Sequence, residues 1–116
     1  MKAKDLLKDN ETALAIFTDG RNLKINEGGT STSGVWRISR NLDVDKIIIY
    51  QRNKAKNVNE IYIGDFNNLL PSNEKGLEHR FVVEFNNTEF LGDTTENWNG
   101  FTNTKRGFAY PTKKIK

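Results

Sequence analysis

Short apolar runs separated by polar stretches make up most of the chain, and their lengths predict strands rather than helices. Lys46 to Arg52 contains Ile47-Ile48-Ile49-Tyr50, a β-branched run without alternation, the pattern of a strand buried on both faces. Glu60 to Phe66 contains Ile61-Tyr62-Ile63, and the polar residues 53–59 between the two runs predict an antiparallel pair with a basic loop at its tip. From Arg80 onward, Phe81, Val83 and Phe85 alternate with Val82 and Glu84, so these three face inward; Asn86-Asn87 then reads as a turn toward Phe90 and Leu91. Val35-Trp36-Arg37-Ile38-Ser39 is a further strand.

The N-terminal third is less regular. Residues 3–10 predict a short helix around Leu6 and Leu7. Leu14, Ile16 and Phe17 precede Asp19-Gly20, and Leu23 and Ile25 follow it, which predicts a tight hairpin; a helix over residues 11–17 is the competing reading. Residues 28–34, Gly-Gly-Thr-Ser-Thr-Ser-Gly, read as a flexible loop without core contacts. The loop is not a phosphate-binding P-loop, because no Gly-Lys-Ser/Thr ending opens a helix after it. Pro71 to Gly76 reads as a surface loop between strands. Together these elements predict an α+β, mostly β fold: a small mixed or antiparallel pseudo-barrel with one or two short helices. One domain is expected over 1–116, with loosely ordered ends at 1–10 and 112–116.

Composition narrows the chemistry. The 116 residues include no Cys and one His, which removes disulfides, thiolate zinc sites, a cysteine nucleophile and a histidine metal cluster, so no metal or cofactor is expected. His79 reads as a solvated loop residue, and Asp65, embedded in Ile63-Gly64-Asp65-Phe66, is the one acid set among apolar neighbours; an enzyme is the lesser reading. No apolar stretch reaches signal-peptide or membrane-span length, which predicts a cytoplasmic protein with no membrane association.

Charge is unevenly spread. The net charge of +3 divides into a neutral segment 1–34, +4 over 35–58, −6 over 59–99 and +5 over 100–116. Two basic segments flank an acidic one, a layout that can orient a polyanion once the fold brings the basic pair together. Aromatic residues are interleaved with Arg and Asn, the combination that stacks on an unpaired base and bonds its edge. The candidate ligand-binding residues are Trp36, Ser39, Tyr50, Trp98 and Asn99. Arg37, Arg40, Arg52, Lys54 and Lys56, with Lys105 and Arg106 in the C-terminal segment, are the candidate phosphate contacts. For each ring taken singly, the alternative is a place in the core.

The order Val35-Trp36-Arg37-Ile38-Ser39, Asp45-Lys46-Ile47-Ile48-Ile49-Tyr50, Glu60-Ile61-Tyr62-Ile63-Gly64-Asp65-Phe66, Arg80-Phe81-Val82-Val83-Glu84-Phe85 resembles small PUA-like domains, the superfamily of PUA, ASCH, EVE and YTH modules. The resemblance implies a pseudo-barrel that binds RNA or modified DNA by drawing one flipped base into an aromatic pocket near Trp36, Ser39 and Trp98. The ASCH motif G-x-K-x-x-E-x-R is absent and only echoed by Lys75-Gly76-Leu77-Glu78-His79-Arg80, which speaks against an ASCH-like hydrolase or nuclease.

Three functions are therefore expected in descending order. The first is a nucleic-acid binding module reading a flipped or modified base, in a prokaryotic restriction or phage-related setting. The second is a protein-interaction or inhibitor module using the acidic segment 59–99. The third is a nucleoside-directed hydrolase using Asp65.

Overall fold

A computed structural model describes residues 3–95 and 108–110. A four-residue 3-10 turn, Ala3–Leu6, precedes seven strands: β1 (Ala13–Thr18), β2 (Leu23–Lys24), β3 (Ser31–Trp36), β4 (Lys46–Asn53), β5 (Val58–Pro71), β6 (Phe81–Thr94) and β7 (Phe108–Ala109). They form one mixed sheet in the order β2-β3-β6-β5-β4-β1-β7, in which β1 and β4 are parallel and the remaining pairs antiparallel. The mostly β expectation holds, with the 3-10 turn as the sole helical element among the described residues. No helix among them is long and apolar enough to cross a membrane.

The isoleucine run does what its lack of alternation demands. Ile47 and Ile49 point into one cluster with Leu14, Ile16, Val83 and Phe85, while Ile48 and Tyr50 point into another with Ala13, Ala15, Ile61 and Leu7. Leu6 and Leu7 of the N-terminal segment cover this second face. The β4–β5 hairpin and the inward alternation of Phe81, Val83 and Phe85 are as the sequence predicts.

The sheet is strongly rolled. β5 and β6 are each 14 residues long; β4 pairs with the first half of β5, through Asp65, and β3 pairs with the start of β6, through Phe85. This stagger lets the two ends of the strand order approach. Trp36 on β3 and Phe108 on β7 meet edge-to-face with ring centroids 6.3 Å apart. Laid flat, the five strand spacings between those strands would separate them by about 24 Å.

Three local expectations fail, each for a physical reason. Asp19-Gly20 does not close a hairpin, because β1 pairs with β4 and β7 while β2 pairs with β3. The four residues 19–22 instead link strands from opposite sides of the strand order. Thr18 Oγ1 accepts from the Gly20 amide (3.1 Å), Asp19 Oδ1 accepts from the Arg21 amide (3.0 Å), and the Gly34 amide donates to the Asn22 carbonyl (3.1 Å), tying the link to β3. Residues 28–34 are not a free loop: residues 31–34 begin β3, with Ser31 and Ser33 fully buried. Their hydroxyls are satisfied, Ser31 by Thr88 Oγ1 (2.7 Å) and the Asn26 amide (2.8 Å), Ser33 by the Trp36 indole N–H (3.0 Å). Gly34 lies so close to β6 that a Cβ there would stand 2.8 Å from Val82 Cγ2. Finally, Asn86-Asn87 is a bulge inside β6, not a turn; Asn87 takes φ 55° as the register shifts between the Ile63↔Glu89 and Asp65↔Asn86 pairs. Asn10, Asn22 and Asn57 hold the same left-handed conformation, which Asn tolerates far better than most residues.

Candidate functional site

Where the two sides of the rolled sheet approach without a connecting ladder, a cleft of about 1070 Å³ opens. One wall is Phe17 and Thr18 at the end of β1 with Phe108 of β7; the other is Gly34, Val35 and Trp36 at the end of β3. The link 19–22 bridges the walls, supplying Asp19, Arg21 and Asn22, and the β5–β6 loop contributes Glu74, Leu77 and Arg80. Trp36 is half-buried, its indole N–H fixed by Ser33 and its ring braced against Phe108, which in turn packs edge-to-face on Tyr110 at 5.8 Å. Arg21 and Arg37 are exposed at the mouth, and Arg80 is half-buried. Among the described residues none of these three guanidinium groups is paired with a carboxylate. The cleft therefore offers flat apolar surface beside three planar cations that outnumber the carboxylates Asp19 and Glu74, a chemistry that can receive a base and a phosphate together.

No protein-family model matches the chain, and neither a curated protein nor a solved structure does. The site must be read from its own residues.

Of the residues singled out from the sequence, the structure gathers Trp36 and Arg37 in this cleft. Tyr50 is a correction: it has no exposed surface, because β4 lies between β1 and β5 and its ring fills the cluster under Leu7, so nothing can stack on it. Ser39 is also displaced from the site; exposed in the loop after β3, its hydroxyl accepts from the Asn41 amide (3.1 Å) and shapes that loop. Arg40 is exposed in the same loop, outside the cleft lining. Arg52 donates to Asn57 Oδ1 and so closes the β4–β5 tip, where Lys54 and Lys56 are exposed away from the cleft lining. Trp98, Asn99, Lys105 and Arg106 lie outside the described residues. Phe108, from an aromatic segment that stands out in the sequence, also lines the cleft; Phe17, Arg21 and Arg80 escape sequence reasoning, since only the roll of the sheet brings them together.

Asp65 is held in a structural role. Lys46 donates to its Oδ1 and Asn87 Nδ2 donates to its Oδ2 (2.8 Å), stitching β4, β5 and the β6 bulge. The Asn87 and Lys46 hydrogen bonds hold its carboxyl below the usual carboxylate range, and the same contact raises the Lys46 ammonium. A carboxylate with a depressed folded pKa contributes stability above its unfolded pKa and loses it as pH falls through the folded value. The raised Lys46 contributes in full below its unfolded pKa and loses its share as pH rises through the folded value. Because the pair is partly exposed, its worth is about 0–1 kcal/mol. Asp65→Asn should therefore melt slightly below wild type near neutrality, with the gap closing as pH falls below the carboxylate range. A gap that widens in acid would refute the assignment.

The described acids of segment 59–99 lie on different elements: β5, the β5–β6 loop and β6. Glu74 and Glu78 sit in the β5–β6 loop, Asp65 is committed to Lys46, and Glu84 accepts from Asn67. Glu60 lies directly across from Asp93, next to the Tyr62–Phe90 ring pair (5.1 Å). There burial, then the carboxylates of Glu60, Glu27 and Asp93, push the Tyr62 phenol up.

Proposed function

We propose that this chain is a small nucleic-acid binding module whose cleft receives one unpaired base against Trp36, with Arg21, Arg37 and Arg80 on the adjoining phosphates. The observation that carries this reading is the convergence of Trp36, Phe17 and Phe108 with three arginines in one concavity. The order of apolar runs in the sequence resembles PUA-like modules, and that resemblance makes a flipped or modified base the ligand to try first. Extruding a base from a duplex costs a few kcal/mol, and stacking returns about 1–3 kcal/mol per base, so single strands and weakened pairs are the favoured substrates.

The test is a titration of labelled single-stranded and duplex DNA and RNA, plain and base-modified, at two salt concentrations. Binding should weaken with salt, and Trp36→Ala should weaken it by roughly five- to hundredfold, the stacking contribution of one base. Arg37→Ala, at an exposed position, should lower the slope of log affinity against log salt by about 0.7 on single strands. Absence of salt-dependent binding to every probe refutes the module; full affinity in a folded Trp36→Ala protein refutes the stacking site.

A further inference from the structure

At the end of β6 away from Arg80 the sheet carries a second surface, with chemistry opposite to that of the cleft. Glu60 and Tyr62, two positions apart on β5, share one face, and the residues across the ladder from them, Asp93 and Phe90, share it too. Phe90 is 41% exposed, and its ring packs on that of Tyr62 with centroids 5.1 Å apart. Burial first, and then Glu60, Glu27 and Asp93 together, raise the Tyr62 phenol, so Glu27 reaches the same spot from the loop between β2 and β3. A depression of about 550 Å³, lined by Glu27, Gly28 and residues 87–90, lies beside the ring pair.

The backbone at this place is an edge. β3 pairs with β6 only through Phe85, Thr88 exchanges hydrogen bonds with Gly28 and Gly29, and among the described residues no strand pairs with that side of β6 further on. Charge commonly guards such an edge against stray pairing, but an exposed ring pair works against that purpose. Among the described residues none of Glu27, Glu60 and Asp93 has a basic partner. A ring face attracts a Lys or Arg cation, and carboxylates beside the ring attract the same group.

We infer that this surface docks a basic segment of a protein partner, with one Lys or Arg side chain over Phe90 and its charge among Glu27, Glu60 and Asp93. The cleft lies at the other end of β6 and prefers the opposite charge, so the two sites do not compete for one ligand. The inference stands whether or not the cleft takes nucleic acid.

Fluorescence anisotropy with a labelled octapeptide of alternating lysine and threonine, and with its glutamate and threonine counterpart, tests the site. The chain's net charge of +3 opposes the lysine peptide, so its binding reports a local acidic surface rather than bulk attraction. The lysine peptide should bind, more weakly as salt rises, and the glutamate peptide should not. Phe90→Leu, which keeps apolar bulk and loses the ring face, should weaken binding roughly three- to thirtyfold, the range of one cation–π contact. The double variant Glu60→Gln/Asp93→Asn should weaken it at least as much and flatten its salt dependence. That variant should melt no lower than wild type, because it removes two like charges that face each other. Binding of neither peptide, or equal binding of both, overturns the docking site. Full affinity in a folded Phe90→Leu protein overturns the ring contact, and full affinity in the double variant overturns the charge contact. Self-association of the chain in sedimentation, abolished by Phe90→Leu, would make the occupant a second copy and overturn the basic partner.

Discussion

Replacing Tyr50 by alanine should destabilise the protein by about 3–5 kcal/mol, the usual cost of removing a fully buried aromatic ring. Tyr50 pairs with Phe17 of β1 on one side and Ile61 of β5 on the other, and its ring has no solvent-exposed surface. The cavity left behind would lie between strands held in register on both flanks, which leaves little freedom to collapse. For a domain of this size each kcal/mol shifts the melting temperature by roughly 4 °C, so a loss on the order of 15 °C is expected. Nucleic-acid affinity measured on the folded fraction at low temperature should stay near wild type. A variant with normal melting and lost binding would return Tyr50 to the ligand site and contradict its placement in the core.

The second large effect belongs to a glycine. Gly64 pairs with Ile47 and lies opposite the β6 bulge, and a Cβ there would stand 2.7 Å from Phe85 Cδ2 and 2.8 Å from the Asn86 carbonyl oxygen. The ring could tilt; the carbonyl belongs to the backbone of the bulge and cannot yield without displacing β6. Gly64→Ala should therefore cost about 1–3 kcal/mol from overpacking, with Gly64→Val worse. Urea unfolding should show a lower midpoint with an unchanged slope, because the surface exposed on unfolding is the same. An alanine variant as stable as wild type would mean that the close approach of β5 and β6 is absent in solution.

The sequence reveals strands whose own side chains decide their fate and hides those decided by distant partners. Ile47 to Tyr50 and Phe81 to Phe85 are legible because burial on two faces and on one face leave different periodicities. Residues 31–34 are not, because Ser31 reads as loop until Thr88, 57 positions away, satisfies its hydroxyl. Asp19-Gly20 is a genuine turn signal, yet the same residues serve whether the flanking strands pair with each other or separate to opposite walls. The parallel pairing of β1 with β4 leaves no local mark at all. The candidate site inherits these difficulties. Trp36 and Arg37 stand out as an aromatic beside a cation, whereas Arg21 and Arg80 look like ordinary loop arginines until the roll of the sheet is known. Tyr50 misleads because an aromatic next to basic residues looks the same in a core strand as at a binding face.

The roll of the sheet has a mechanical side. Five strands from β3 through β6, β5 and β4 to β1 are locked by continuous backbone hydrogen bonds, whereas the walls of the cleft are joined by a short link and by the Trp36–Phe108 ring contact. Widening the gap slides two rings past each other and leaves those five strands paired. Because both rings also pack against the core cluster of Leu14, Ile16, Ile47 and Val83, a guest broad enough to part them is felt in the core.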